Sequence, residues 1–339
     1  MKLFFQKEVI DQQIRNRGFS GSIVVKKGEI EYNFSAGYAN RVEQQLNNVT
    51  TRFGIASGCK LFTAIAIAQL VENERLSFET KLSDCLNVSF PHLNENMTIH
   101  HLLTHTSGLP DYFDEDVMED FEDLWKQTPM YLLKRLQDFL PLFQNDEMVD
   151  QPGEAFRYNN AGYIVLGLII EQQTGMTFQR YVEENIFKPA GMNDSGYFSL
   201  DRLPQNTALG YIDESDGSWR TNTYAIPIIG GSDGGAFVTA PDMVKFWEAL
   251  IAFRLLNEGL TKELLTTHVD VKEGVGYGYG VWINNRKGRH LKYHVMGYDP
   301  GVSFHSAYYP ESGYKIAIPS NHSDGAFEVM KEIEELLHR

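Results

Sequence analysis

From Lys60 to Asn73 the chain reads "KLFTAIAIAQLVEN", with alanines at 64, 66 and 68 and apolar residues on nearly every side of a helix. A helix that is apolar all round belongs inside a protein, so this segment predicts a buried central helix. Residues 6–17 predict a helix before it. "FSGSIVVKKGEIEYNFSAGYANR" then shows two β-like runs joined at Lys27-Gly28, the signature of a hairpin at a sheet edge.

From about residue 75 to 200 the pattern is helical and loop-like, through "IHHLLTHTSGLPDY", "PMYLLKRLQDFLPLF", "NNAGYIVLGLIIEQQTG" and "FQRYVEENIFKPAG". The last third changes again. After a helical "DMVKFWEALIAF", the runs "YGYGVWIN", "HLKYHVM", "VSFHSAYYP" and "YKIAIPSN" are β-rich and punctuated by Gly, Pro and Asn, and "GAFEVMKEIEELLHR" predicts a closing helix. Strands at both ends around a helical middle imply one sheet built from the two ends of the chain, with a helical domain inserted between them. There is no internal repeat or low-complexity tract.

The chain has 339 residues, 42% hydrophobic, enough for a large core. A formal net charge of -15 argues against partners held by bulk electrostatics to nucleic acid or anionic lipid; a small-molecule or short-peptide substrate fits better. The two cysteines, Cys59 and Cys85, form no disulfide framework and no metal-ligand spacing. The start, "MKLFFQKEVIDQQ", is too short in apolar residues for a signal peptide, and no span is long enough to anchor the chain in a membrane. As given, the chain reads as soluble and cytoplasmic; its oligomeric state is open.

At the mouth of the buried helix, "FGIASGCK" places Ser57 three residues before Lys60. Residues three apart share a helix face, so the lysine amine can reach the serine hydroxyl and, where burial disfavours its charge, take its proton. A serine capping the helix, with a lysine reaching out to solvent, is the competing reading. The spacing recurs at Ser312 and Lys315, in a turn entering a strand where the two side chains have no fixed relation.

Other motifs carry competing chemistry. Gly230-Gly231-Ser232-Asp233-Gly234 matches a nucleophile elbow but is followed by another glycine rather than a helix, so a turn bordering the cleft is the expected role. His101 and His105 lie one helical turn apart, with His100 adjacent, but no third ligand is evident and structural hydrogen bonds are expected; no metal and no cofactor is predicted. The acidic run "DYFDEDVMEDFEDLW" reads as a solvated element near a cleft mouth, with Tyr112, Phe113, Phe121 and Trp125 packing.

The segments "FGIASGCKLFTAIAIAQLVENERLSFETKLSDCL", "MTIHHLLTHTSGLPDY", "QPGEAFRYNNAGYIVLGLIIEQQTGMTFQRYVEENIFKPAGM" and "GGAFVTAPDMVKFWEAL" together resemble the serine β-lactamase and penicillin-binding protein superfamily. The resemblance is to the branch holding class C β-lactamases, D-alanyl-D-alanine carboxypeptidases and related esterases, and runs from about residue 10 to 335. It implies an α/β fold, a largely antiparallel sheet flanked by helices on both faces. The sheet domain would comprise 1–75 and 215–339, the helical domain 76–214, with the active-site cleft between them.

The resemblance further implies that Ser57 is the nucleophile, Lys60 its lysine, and Tyr158 of Tyr158-Asn159-Asn160 a partner in proton transfer, with Asn160 orienting the substrate. Tyr38-Ala39-Asn40 shares that spacing but lies in the predicted hairpin. The third motif, a strand bearing Lys or His, then Thr, Ser or Gly, then Gly, departs from the pattern in "KYHVMGYDPGVSF". Anchored on Gly297, the basic position is Val295, and the Tyr298 N–H would join that of Ser57 as an oxyanion hole; anchored on His294, Met296 stands where Gly is expected. Without the basic group, β-lactam or D-Ala-D-Ala cleavage is in doubt. The implied activity is a serine hydrolase acting through an acyl-enzyme on a β-lactam, a D-amino-acid peptide or a small ester. The alternative is a non-catalytic peptide-binding or scaffolding relative.

Overall fold

The structure, a computed structural model, describes residues 7–338 apart from 116, 119 and 287. Eight antiparallel strands form the central sheet: β1 (Gly21–Lys27), β2 (Ile30–Ala36), β3 (Val269–Lys272), β4 (Val275–Tyr277), β5 (Trp282–Arg286), β6 (Arg289–Asp299), β7 (Val302–Tyr308) and β8 (Lys315–Ser320). Their order is β2-β1-β8-β7-β6-β5-β4-β3. The N-terminal hairpin β1–β2 therefore docks on the last strand of the chain, and Gly28, at φ 57°, makes the tight turn between its two strands.

Period-two alternation sends neighbouring side chains to opposite faces. On one face Ile23, Val25, Ala307, Ile316 and Ile318 pack with Ile10 and Ile14 of α1 (Lys7–Asn16) and Val329, Met330 and Ile333 of the C-terminal α6 (Ala326–His338). On the other, Val24, Val295, Phe304 and Ala317 join the larger cluster that contains α2 (Lys60–Glu72), α4 (Asn160–Thr174) and α5 (Ala240–Ile251). The fold is thus a sheet with helices on both faces. The same large cluster continues through Leu82, Leu103, Phe139 and Tyr197, so the helical segment between the strands shares a core with the sheet.

α2 is buried from Lys60 to Leu70, as its apolar circumference requires. α4 is set at both ends: the Asn159 side chain accepts from Gly162 N–H, and Gly175, at φ 71°, closes the C-terminus in the left-handed conformation that glycine adopts without strain. The short α3 (Ile99–Leu103) is capped by Thr98 and His101.

The helix expected in "PMYLLKRLQDFLPLF" is instead two short 3₁₀ turns, Met130–Leu132 and Leu136–Leu142. Pro141 lies within the second, where it lacks an N–H to donate and disfavours a continuous α-helix. Among the described residues no helix is long and apolar enough to cross a membrane.

Candidate active site

Ser57 sits in a single 3₁₀ turn, Ala56–Cys59, which runs directly into α2, rather than in the first α-helical turn expected from its spacing. Ala56, just before the serine, has φ 45°, a left-handed conformation that is strained for a residue with a Cβ. The turn is clamped from two sides. A Cβ at Gly58 would lie 2.4 Å from the Phe304 ring of β7, and a Cβ at Gly297 of β6 would lie 2.2 Å from Ile55 O and 2.8 Å from Ser57 N. Glycine at both positions lets the sheet backbone press against the serine turn.

Lys60 is 2% exposed, and its Nζ donates to Ser57 Oγ at 2.9 Å, Asn160 Oδ1 at 2.7 Å and the Asp233 carbonyl at 2.7 Å. Three partners satisfy a buried amine that would otherwise be costly to desolvate. Its charge also lies 4.8 Å above the centre of the Tyr158 ring and 5.5 Å from that of Tyr163. Burial, then the Glu115 charge, holds the Tyr158 phenol well above the ordinary tyrosine range, and the nearby Ser57 hydroxyl offsets this only in part.

His105 keeps Tyr158 in place. Its ring lies 4.4 Å from that of Tyr158, Nδ1 accepts from Asn159 N–H at 3.0 Å, and Nε2 lies 3.1 Å from the Tyr277 hydroxyl. Because Nδ1 accepts, the proton is assigned to Nε2, which donates to Tyr277. Burial, reinforced by the Lys60 charge, depresses its pKa well below the usual histidine value and keeps the ring neutral. Among the described residues no cluster of three metal-ligating side chains exists, and His100 and His101 bond to Tyr279 and to Thr98.

Carboxylates that the sequence reading did not single out surround this core. Asp111 accepts from the N–H groups of Asn160 and Ala161 at 2.7 and 2.9 Å, holding the first turn of α4; burial nevertheless pushes its carboxyl up to about 7. Asp233, raised by burial, accepts from the Tyr112 hydroxyl. Asp299 follows Tyr298 at the end of β6 and lines the cleft; burial, then the Asp233 charge, pushes its carboxyl up to about 7. The "LPDY" and "DPG" turns were the available signals, but a single aspartate in a turn has no spacing to betray its partner.

The third motif resolves by strand alternation. Gly297 pairs with Phe304 and faces the serine turn, whereas His294 pairs with Ala307, whose side chain packs with the terminal helices. His294 therefore points to the far side of the sheet and is not brought to the site; its pKa is depressed there by burial and by Lys292. Val295 shares the face of Gly297 and is 3% exposed in the core. Tyr298 lines the cleft with its backbone next to Gly297, while its hydroxyl reaches His305 Nε2 at 2.6 Å.

The competing motifs separate from the site or support it. Ser232 is fully buried, its hydroxyl so close to Gly167 that a Cβ there would lie 2.2 Å away, and its turn contributes the Asp233 carbonyl that holds Lys60. Lys315 bonds toward Glu248 on α5, and Asn40 caps a surface turn at Val42 and Glu43.

Ser57, Asn160 and Tyr298 open onto one cleft of about 1160 Å³ including its mouth. The family model described as "Beta-lactamase" matches residues 7–338. The chain belongs to the beta-lactamase family. Within that family it is 30% identical over 82% of its length to a putative penicillin-binding protein, PbpX, of Bacillus subtilis. The chain spans a little under two thirds of that relative, 66% of its length. Among solved structures, a penicillin binding protein from Bacillus halodurans shares 59% identity with a TM-score of 0.94, covering 96% of this chain and 99% of that one. An octameric penicillin-binding protein homologue from Pyrococcus abyssi shares 27% identity with a TM-score of 0.86, covering 100% of this chain and 78% of that one. This beta-lactamase-family chain is thus related to penicillin-binding proteins in both sequence and fold, consistent with a serine hydrolase.

Proposed function

We propose that the protein is a serine hydrolase working through an acyl-enzyme on Ser57, with a small molecule or short peptide as substrate. The observation that carries this is the ordering of Lys60: Asn160 Oδ1 and the Asp233 carbonyl are pure acceptors, so they hold two N–H groups of the amine. The third position faces Ser57, whose hydroxyl can donate as well as accept. That third position is the one through which the amine and the serine hydroxyl can exchange a proton.

In the acylation step Ser57 Oγ forms a bond to the substrate carbonyl carbon while its proton passes to Lys60. The resulting oxyanion is held by the N–H groups of Ser57 and Tyr298, a contact that needs no particular side chain. Collapse breaks the bond to the leaving group, which takes the proton of Tyr158, a phenol whose raised pKa keeps it protonated until then; the proton on Lys60 passes back to the phenolate, so both groups end as they began. Asn160 orients the acyl group. Water then attacks the acyl-enzyme by the same route in reverse. β-Lactams, D-amino-acid peptides and small esters all suit these steps.

The test is to incubate wild type and Ser57→Ala with a fluorophosphonate and with a fluorescent penicillin and weigh the adducts. A single adduct on wild type, absent from Ser57→Ala, supports the reading. Labelling that survives Ser57→Ala and is lost in Ser232→Ala overturns the assignment of the nucleophile.

A further inference from the structure

The wall of the cleft carries a one-sided charge. Among the described residues that line it there is no lysine, arginine or histidine, whereas Glu115, Asp233 and Asp299 are all present. Lys60, the cation behind the serine, has its three hydrogen-bonding positions taken by Ser57, Asn160 and Asp233. A substrate carboxylate would enter without a counter-ion. Of the three acids, Asp233 is held by Tyr112, and Glu115 is exposed. Asp299 is the one left largely buried, with no side-chain hydrogen bond or ion pair among the described residues. It stands on the same face of β6 as Gly297, one residue beyond the Tyr298 backbone, and lines the same cleft as Ser57. The rest of the wall is apolar, with Phe121, Phe139, Phe198, Leu200, Leu203 and Phe237.

We propose that the cleft selects amides or esters bearing a free ammonium group beside the reacting carbonyl and an apolar side chain, with Asp299 as the residue that binds the ammonium. The proposal rests on the reading of Ser57 as a hydrolytic nucleophile. An amino-acid ester or amide, or the N-terminal residue of a short peptide, has this chemistry: its ammonium is two bonds from the carbonyl carbon. The carboxyl of Asp299, pushed up by burial and by Asp233, is the mark of a site short of positive charge, and an arriving ammonium supplies it.

The test has two arms, both run on the full chain. In the first, wild type is labelled with a fluorophosphonate in the presence of phenethylammonium or of 3-phenylpropanoate at equal concentration. The ammonium is expected to slow labelling and the carboxylate to leave it unchanged; equal or better protection by the carboxylate, or protection by neither, overturns the proposal. This arm needs no variant to fold. In the second, kcat/KM is compared for phenylalanine methyl ester and its N-acetyl analogue. A preference of about tenfold or more for the free amine is expected in wild type, falling towards one in Asp299→Asn. A wild type that hydrolyses both esters equally, or a folded variant that keeps the preference, overturns it. Absence of any fluorophosphonate adduct on wild type is a different failure, that of the hydrolase reading itself.

Discussion

Gly297 and Ser57 are locked backbone to backbone: a Cβ on the glycine would stand 2.8 Å from the serine amide nitrogen. Neither the strand nor the 3₁₀ turn can yield without moving the other, because Phe304 of β7 presses on Gly58 from the adjacent strand. The serine amide is one of the two donors proposed for the oxyanion, so the contact fixes a catalytic distance as well as a packing distance.

Gly297→Ala is therefore expected to push β6 away from the turn. Fluorophosphonate labelling of Ser57 should slow by about 10²-fold or more, the scale of losing an oxyanion donor. Stability should fall by about 1–3 kcal/mol, as for overpacking elsewhere in a close-packed interior. Labelling kinetics and a urea titration check the two effects separately; an alanine variant that labels at the wild-type rate shows that the contact is not needed for the geometry.

Lys60→Met removes the amine but fills a similar space. It leaves Asn160 Oδ1 and the Asp233 carbonyl without their donor in a buried position. Labelling should fall by about 10²–10⁴-fold, the usual contribution of a positioned base. Stability should fall by about 1–3 kcal/mol from the unsatisfied acceptors. Loss of stability with full reactivity would assign Lys60 a purely structural role.

Ser232 gives the opposite expectation. Its hydroxyl is buried without a hydrogen-bond partner among the described residues, packed on Gly167. Ser232→Ala should label like wild type and be equally stable or more so by up to about 1 kcal/mol, since a desolvated hydroxyl is removed. Thermal unfolding beside the labelling assay reads both.

What the sequence could and could not reveal follows from the range of each signal. The all-round apolar run of α2 and the three-residue step from Ser57 to Lys60 are local, and the sheet at both ends of the chain follows from period-two runs between turns. His294 against Val295 was undecidable because a shift of one residue reverses every side chain on a strand, and only the pairing with β7 fixes the register. Asp233 and Asp299 were invisible as a pair: 66 residues separate them in sequence (299 minus 233), and each is a lone carboxylate in a turn. The 129–143 segment misled because its leucines repeat at helical spacing while Pro141 interrupts the backbone that would have used them.

Asp299 also makes stability depend on pH in a direction that can be isolated. Its carboxyl is raised from 3.8 to about 7 in the folded protein, with burial the main cause. Between those values the folded state holds a proton that the unfolded chain has released, so stability is fully present below pH 4 and is lost as pH rises through about 7. Asparagine keeps the shape without the charge. Asp299→Asn should therefore be more stable than wild type at pH 8, by about 2 kcal/mol once solvent at the cleft mouth is allowed for, and the advantage should shrink steadily to nothing by about pH 4. His305 works the other way. Burial holds it down at about 3, so the neutral ring contributes stability above 6.5 that is lost as pH falls, and that loss is common to wild type and variant. Subtracting the two urea-unfolding curves at each pH cancels His305 and leaves Asp299. A difference that is flat from pH 4 to 8 would mean that the Asp299 carboxylate is stabilised in the empty cleft.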